Sequence, residues 1–190
     1  MKVAVIDNFD SFVFNLVRYL KEIPSVELIV QRNNKINYAL IDECDAILLS
    51  PGPGIPSEAG DLMNIIDKYH QSKPLLGVCL GHQAIGEFFG GQLIPCDSPV
   101  HGKSSDIEII EPSSLFVKKE QSVQVGRYHS WQVSELLPSE LVVTAITENG
   151  DVMGIKHAHY PIEGIQFHPE SILTPTGRKM IHYWVQSIKN

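Results

Sequence analysis

The sequence predicts an α/β fold: a mostly parallel central sheet with helices on both faces, plus a smaller mixed or antiparallel sheet extension. Three observations carry that expectation. Short apolar runs alternate with helix-period segments through the first half, and strand-like runs follow one another without helices in the second. Between them, a glycine-flanked cysteine stands where a buried strand gives way to a helix. Alternating strand and helix imply right-handed crossovers between parallel strands, with functional loops at the strands' carboxyl ends.

Val3 to Ile6, Val26 to Val30, Ala46 to Leu49 and Leu75 to Cys79 are continuous apolar runs of strand length, as expected of strands covered on both faces. Val13, Leu16, Val17 and Leu20 recur at helical spacing behind Asp10 or Ser11 as a cap, and Leu62, Ile65, Ile66 and Tyr69 behind Asp61. A third helix follows Cys79, with Ile85, Phe88 and Phe89 inward and Gly90-Gly91 as its stop. Ile107 to Ile110, Val123 to Val125, Leu141 to Ile146, Val152 to Ile155 and Ile162 to Phe167 are the strands of the second half. Thr174-Pro175 then opens a last helix, as a cap followed by proline at the first helical position, with Ile181, Trp184, Val185 and Ile188 on one face. No linker, repeat or low-complexity tract interrupts residues 1–190, which are expected to form one domain.

Bulk properties narrow the function classes. The chain is 43% hydrophobic and 19% charged, ordinary values for a globular domain with a full core. A net charge of -7 supplies no basic field for nucleic acid or anionic lipid. Met1 to Asp7 holds too short an apolar run for a signal peptide, and no segment nears the roughly 18 apolar residues of a membrane span. A cytoplasmic location is expected. Cys44, Cys79 and Cys96 are odd in number and lack metal-ligand spacing, which argues against disulfides and zinc. His157 and His159 have no acidic or cysteine ligand nearby in sequence, so no metal site is expected.

Leu75-Leu76-Gly77-Val78-Cys79-Leu80-Gly81-His82-Gln83 has the Gly-x-nucleophile-x-Gly pattern of a strand-turn-helix elbow. Side chains at the two flanking positions are expected to collide with the strained nucleophile, hence the glycines. The following helix aims free N–H groups and its positive dipole end at the sulfur, which favours thiolate over thiol. The Leu80 N–H is thereby a candidate oxyanion donor. Cys44 and Cys96 lack this setting and read as packed residues.

A departing amide nitrogen needs a proton, so a histidine must stand beside the sulfur. Of eight histidines, His168 is the best placed, because Phe167-His168-Pro169-Glu170-Ser171 ends an apolar strand. Residues two apart in an extended segment project to one side, and Pro169 is expected to keep the pair extended. Glu170 then orients the imidazole, giving a triad of Cys79, His168 and Glu170.

Ser50-Pro51-Gly52-Pro53-Gly54 follows the third strand, and only Gly52 and Gly54 have N–H groups to offer beyond its serine. The segment is a rigid turn, a substrate seat or the source of a second oxyanion donor. It is no phosphate loop, for it lacks Gly-Lys-Ser/Thr. Arg127-Tyr128-His129-Ser130-Trp131, read as lying at a strand end, either lines a pocket or caps the strand.

Together these motifs resemble the class I, or triad-type, glutamine amidotransferases from Val3 to about Val185. Within that family the chain is most similar to the glutaminase components of anthranilate synthase and aminodeoxychorismate synthase. That likeness rests on Asp7-Asn8-Phe9-Asp10-Ser11-Phe12, on the proline-glycine segment through Gly60, on His101-Gly102-Lys103 and on Phe167 to Leu173. The resemblance implies a Cys79 thioester, His168 as general acid and base, Glu170 as orienter, and oxyanion N–H groups from Gly54 and Leu80. It further implies that Gly52, Pro53, Gly54, Gln83, His129 and Ser130 seat L-glutamine, without a cofactor, and that ammonia passes to a chorismate-binding synthase subunit in a hetero-oligomer. Trp131 departs from the pattern, which has a smaller aliphatic residue there. The alternatives are an amidotransferase serving another synthase, such as that of guanylate synthesis, and a non-catalytic module of the same fold. The sequence leaves open whether the acceptor belongs to the tryptophan pathway, the folate pathway or both.

Overall fold

A computed structural model describes residues 1–116 and 121–189. Nine strands form one sheet: β1 Lys2–Asp7, β2 Glu27–Arg32, β3 Ala46–Leu49, β4 Leu75–Val78, β5 Leu93–Ile109, β6 Ser122–Val133, β7 Leu141–Thr147, β8 Val152–His157 and β9 Ile162–Ile165. The helices are α1 Val13–Lys21, α2 Tyr38–Asp42, α3 Leu62–Tyr69, α4 Leu80–Phe88 and α5 Gly177–Ser187. Strand order is β2-β1-β3-β4-β9-β8-β7-β5-β6. The first five run parallel, and from β9 onward each pairing is antiparallel. The extension expected in the second half is therefore continuous with the main sheet.

Because side chains alternate across a strand, each parallel strand feeds two cores. Val3 and Val5 of β1 pack with α1 and α5, through Leu16, Leu20, Met180 and Trp184. Ala4 and Ile6 pack on the other face with Ile41 of α2, Ile65 and Ile66 of α3, and Ile85 of α4. β3 and β4 are buried at every position. Burial of the larger side chains contributes about 1.5–3 kcal/mol each.

Several expectations need correction. β2 is an edge strand, exposed or half-buried throughout, because no strand among the described residues lies beyond it. Neither Asp10 nor Ser11 caps α1: Phe12 stands at the cap, and Asp10 Oδ1 accepts the Phe12 N–H in a local turn. Asp61 stands before α3 but accepts from the Asn64 side chain instead of a backbone N–H. Thr174 does not cap α5, which starts behind Thr176. β5 and β6 are much longer than their apolar cores, and 93–106 was invisible to hydropathy because prolines, glycine and polar residues fill it. Register irregularities between Pro95 and Val100 and between His101 and Lys103 accommodate them, with Gly102 at φ +67. Arg127 to Trp131 consequently lies inside β6, not at its end. Among the described residues no helix is long and apolar enough to cross a membrane.

Candidate active site

β4 carries the chain to Cys79, whose φ of 51 and ψ of -101 turn it directly into α4. A positive φ with this ψ is a sparsely populated conformation for a residue with a Cβ, costing on the order of 1–3 kcal/mol, and the neighbouring packing holds it. The Cys79 N–H donates to Ile165 O of β9 at 2.8 Å, and its carbonyl accepts the Gln83 N–H at 3.0 Å. The flanking glycines serve close main-chain packing. A Cβ on Gly77 would lie 2.4 Å from the Gly81 carbonyl, and one on Gly81 would lie 2.4 Å from Leu49 O of β3. They let strand, turn and helix pack backbone to backbone, the nearest atom in each case being a main-chain atom of α4 or β3. Cys79 is 6% exposed yet borders two cavities, so its sulfur is reachable.

β9 runs parallel to β4 and delivers the second group to the same end of the sheet. The segment beyond it is not extended. The Ser171 N–H donates to His168 O at 3.2 Å, closing a turn with Pro169 at its second position, where a fixed φ is favourable. Glu170 therefore reaches back across a turn to His168, with Nδ1 and Oε1 2.6 Å apart. Thr174 Oγ1 donates to His168 O at 2.7 Å and accepts the Gly126 N–H at 2.9 Å, tying the turn to β6. The Tyr128 ring stands edge-on to the imidazole at 5.1 Å, and its hydroxyl meets Ser171 Oγ at 3.1 Å.

Burial by itself would lower the His168 pKa, but the adjacent Cys79 and the Glu170 carboxylate together raise it well above 6.5. Glu170 occupies Nδ1, Nε2 has no partner in hydrogen-bond geometry among the described residues, and His168 and Cys79 line one cavity. The structure thus brings Cys79, His168 and Glu170 together.

A cavity of about 260 Å³ opens beside Cys79, lined by Gly52, Pro53, Gly54, Gln83, Tyr128, His129, Ser130 and Trp131. All six residues expected to seat a substrate are on its wall. Asn8 anchors the start of the proline-glycine loop, donating from Nδ2 to Ser50 O at 2.7 Å. A Cβ on Gly52 would meet Asn8 O at 2.5 Å and Leu80 Cδ2 at 2.8 Å, and Gly54 adopts φ +75, so only glycine fits this close approach. Leu80 opens α4, directly after the cysteine.

His129 lies in the cavity wall but is no base. Burial first, and then the nearby Arg127 charge, lower its pKa to about 4. Arg127 Nε donates to His129 Nε2 at 3.1 Å, leaving Nδ1–H for Trp131 O at 3.0 Å. Cys44 is buried, its thiol pKa raised by that burial. Cys96 is only half-buried, with Sγ 3.3 Å from His129 Nδ1, and is no simple core residue. Among the described residues no group of three or more His, Cys, Asp or Glu side chains is placed to hold a metal.

Sequence reasoning missed Gln166 and the bracing role of Thr174, and it left open the pocket-lining role that Tyr128 has. Gln166 is wholly buried, and its Nε2 lies 3.6 Å from Cys79 Sγ. A polar residue in an otherwise apolar strand end, two before His168, was the available signal.

Residues 4–187 match the model of the family described as glutamine amidotransferase class-I. The chain belongs to that family. It is 43% identical to the aminodeoxychorismate/anthranilate synthase component 2 of Bacillus subtilis, over 98% of this chain and 97% of that one. It is 42% identical to the anthranilate synthase component 2 of Thermus thermophilus, over 98% and 92%. Among solved structures, a putative GMP synthase subunit from Thermoplasma acidophilum superposes with a TM-score of 0.88 at 25% identity, covering 100% of this chain and 94% of that one. For a class-I glutamine amidotransferase, the elbow, the imidazole-carboxylate pair and the adjoining cavity are the parts from which amide chemistry would be built.

Proposed function

We propose that this amidotransferase is the glutaminase subunit of a chorismate-using synthase, making anthranilate, 4-amino-4-deoxychorismate or both. The observation that carries the reading is a cysteine at positive φ in the wall of the 260 Å³ cavity, which shares an adjoining cavity with a carboxylate-oriented imidazole. The synthase assignment is supported by relatives at 42% and 43% identity, whose names are those of component 2 of such enzymes.

In this mechanism Cys79 Sγ attacks the glutamine carboxamide carbon, and the N–H groups of Gly54 and Leu80 hold the oxyanion. His168, held by Glu170, protonates the departing nitrogen, so that ammonia leaves and a glutamyl thioester remains. The same imidazole then takes a proton from water, which attacks the thioester and releases glutamate. Gln83, the Gly52 to Gly54 loop and the backbone of His129 and Ser130 grip the amino and carboxylate ends of the substrate. Ammonia passes to a partner synthase subunit in a hetero-oligomer, in the cytoplasm.

A Cys79→Ala variant, purified with its synthase, tests the scheme. Glutamine-dependent product should vanish while ammonium salts still support synthesis. Continued use of glutamine would refute the nucleophile. Identifying the aromatic amine made from chorismate and glutamine by complexes with candidate synthases decides the acceptor. A guanylate-synthesis role is suggested by a structure at 25% identity, against 42% and 43% for the component 2 relatives.

A further inference from the structure

We infer that Gln166 is a positioning residue for the reaction: its amide N–H steadies the Cys79 sulfur as an anion, and its amide oxygen sets the orientation of Gln83. The inference rests on the reading of Cys79 as nucleophile.

One atom near the sulfur has a fixed hydrogen-bonding role. Trp131 O is a backbone carbonyl and only accepts, and Gln83 Nε2 lies 2.8 Å from it. A flipped Gln83 amide would set two oxygens against each other, so its nitrogen must face Trp131. The same nitrogen lies 3.1 Å from Gln166 Oε1 and donates its second hydrogen there. With its oxygen so engaged, Gln166 must present its NH₂ group to Cys79 Sγ at 3.6 Å. The polarity of one main-chain carbonyl is thereby handed through two side-chain amides to the sulfur.

Both ends of this relay bear on the chemistry. Gln166 is 0% exposed, so no bulk water competes for the N–H···S contact, which is stronger toward a thiolate than toward a thiol. Hydrogen bonding to the charged form favours that form. At the other end, Gln83 keeps Oε1 out of these bonds, as an acceptor on the wall of the cavity that holds Gly52 to Gly54 and Ser130. A substrate ammonium is the kind of donor that it matches. Gln166 is not itself one of the residues lining that cavity, and so acts through two that are, Cys79 and Gln83.

The test follows alkylation of Cys79 by iodoacetamide against pH, read by mass spectrometry of the Cys79 peptide because the chain has two further cysteines, Cys44 and Cys96. Gln166→Met keeps an unbranched chain of similar length and removes the donor. Gln166→Glu keeps the acceptor for Gln83 and likewise removes it. In both variants the half-maximal pH of alkylation should rise by about one unit, with about tenfold slower alkylation below it. kcat for glutamine should fall with it. Circular dichroism identifies a variant that fails to fold, in which case the other carries the test. An unchanged alkylation curve in a folded variant overturns the inference and leaves the nucleophile intact. Absence of Cys79 alkylation in the unsubstituted protein overturns both.

Discussion

Cys79 and His168 stand at the ends of neighbouring parallel strands, but they are held in different ways. Around the cysteine, backbone packs on backbone: Gly77 against Gly81, Gly81 against Leu49 of β3, and the Cys79 N–H on Ile165 O. Around the histidine, side chains add to the main-chain bonds from His168 N–H to Gly126 O and from Ser171 N–H to His168 O, with Glu170 on the ring, Thr174 on the carbonyl and Tyr128 beside the imidazole. A wall made of main chain tolerates no added atom. A wall made of side chains can lose one member and keep its shape. The first should therefore fail through folding and the second through function.

The largest expected effect lies on the cysteine side. Gly81→Ala forces a methyl to within 2.4 Å of the Leu49 carbonyl, and should cost more than about 3 kcal/mol in urea unfolding or leave the protein insoluble. A soluble variant of ordinary stability would break the comparison. On the histidine side, Glu170→Gln should lower kcat by about 10²–10³-fold while the unfolding free energy stays within about 1 kcal/mol. A large loss of stability with little loss of rate would reverse the assignment of roles.

The pH dependence of stability bears on both walls. His82 of α4 is wholly buried, and burial, partly offset by the Gly164 backbone, lowers its pKa to about 3. His129 of β6 is lowered to about 4. Below about pH 6.5 the unfolded chain gains protons that the folded chain refuses, so stability present near neutrality declines as pH falls from 6.5 toward 4. The slope should reach up to about 1.4 kcal/mol per pH unit for each histidine, measured as urea-unfolding free energy. His168 is raised instead, and its contribution is present at low pH and lost as pH rises through its folded value. A flat profile between pH 4 and 6.5 would mean that these histidines charge in place.

Smaller effects sharpen the contrast. Thr174→Val removes two hydrogen bonds under His168 and should cost about 1–2 kcal/mol, with kcat down less than about tenfold. Gly90→Ala is the control for backbone geometry alone, since φ is +93 and nothing lies within 4 Å of the added Cβ. It should cost about 1 kcal/mol in the same unfolding assay. A cost for Gly81→Ala no greater than that of Gly90→Ala would show that the packing clash is relieved cheaply.

The amino-acid sequence alone determined the strand and helix alternation, the elbow at Cys79 and the pairing of His168 with Glu170, because each is written in neighbouring residues. Apolar runs, paired glycines and a His-Pro-Glu segment act over a few positions, which periodicity and turn chemistry can register. Even there the local reading erred in detail, since Pro169 makes a turn and Thr174 braces His168 instead of capping a helix. Only the tertiary structure decided what depends on partners far apart in sequence. It joined both halves into one sheet with β9 beside β4, carried β5 and β6 through proline- and glycine-bearing segments, and placed Gln166 and Tyr128 at the sulfur and the imidazole. The physical reason is that a buried amide or ring acquires its role from the groups across from it, and hydrogen bonds spanning 83 or 87 residues leave no trace in local spacing.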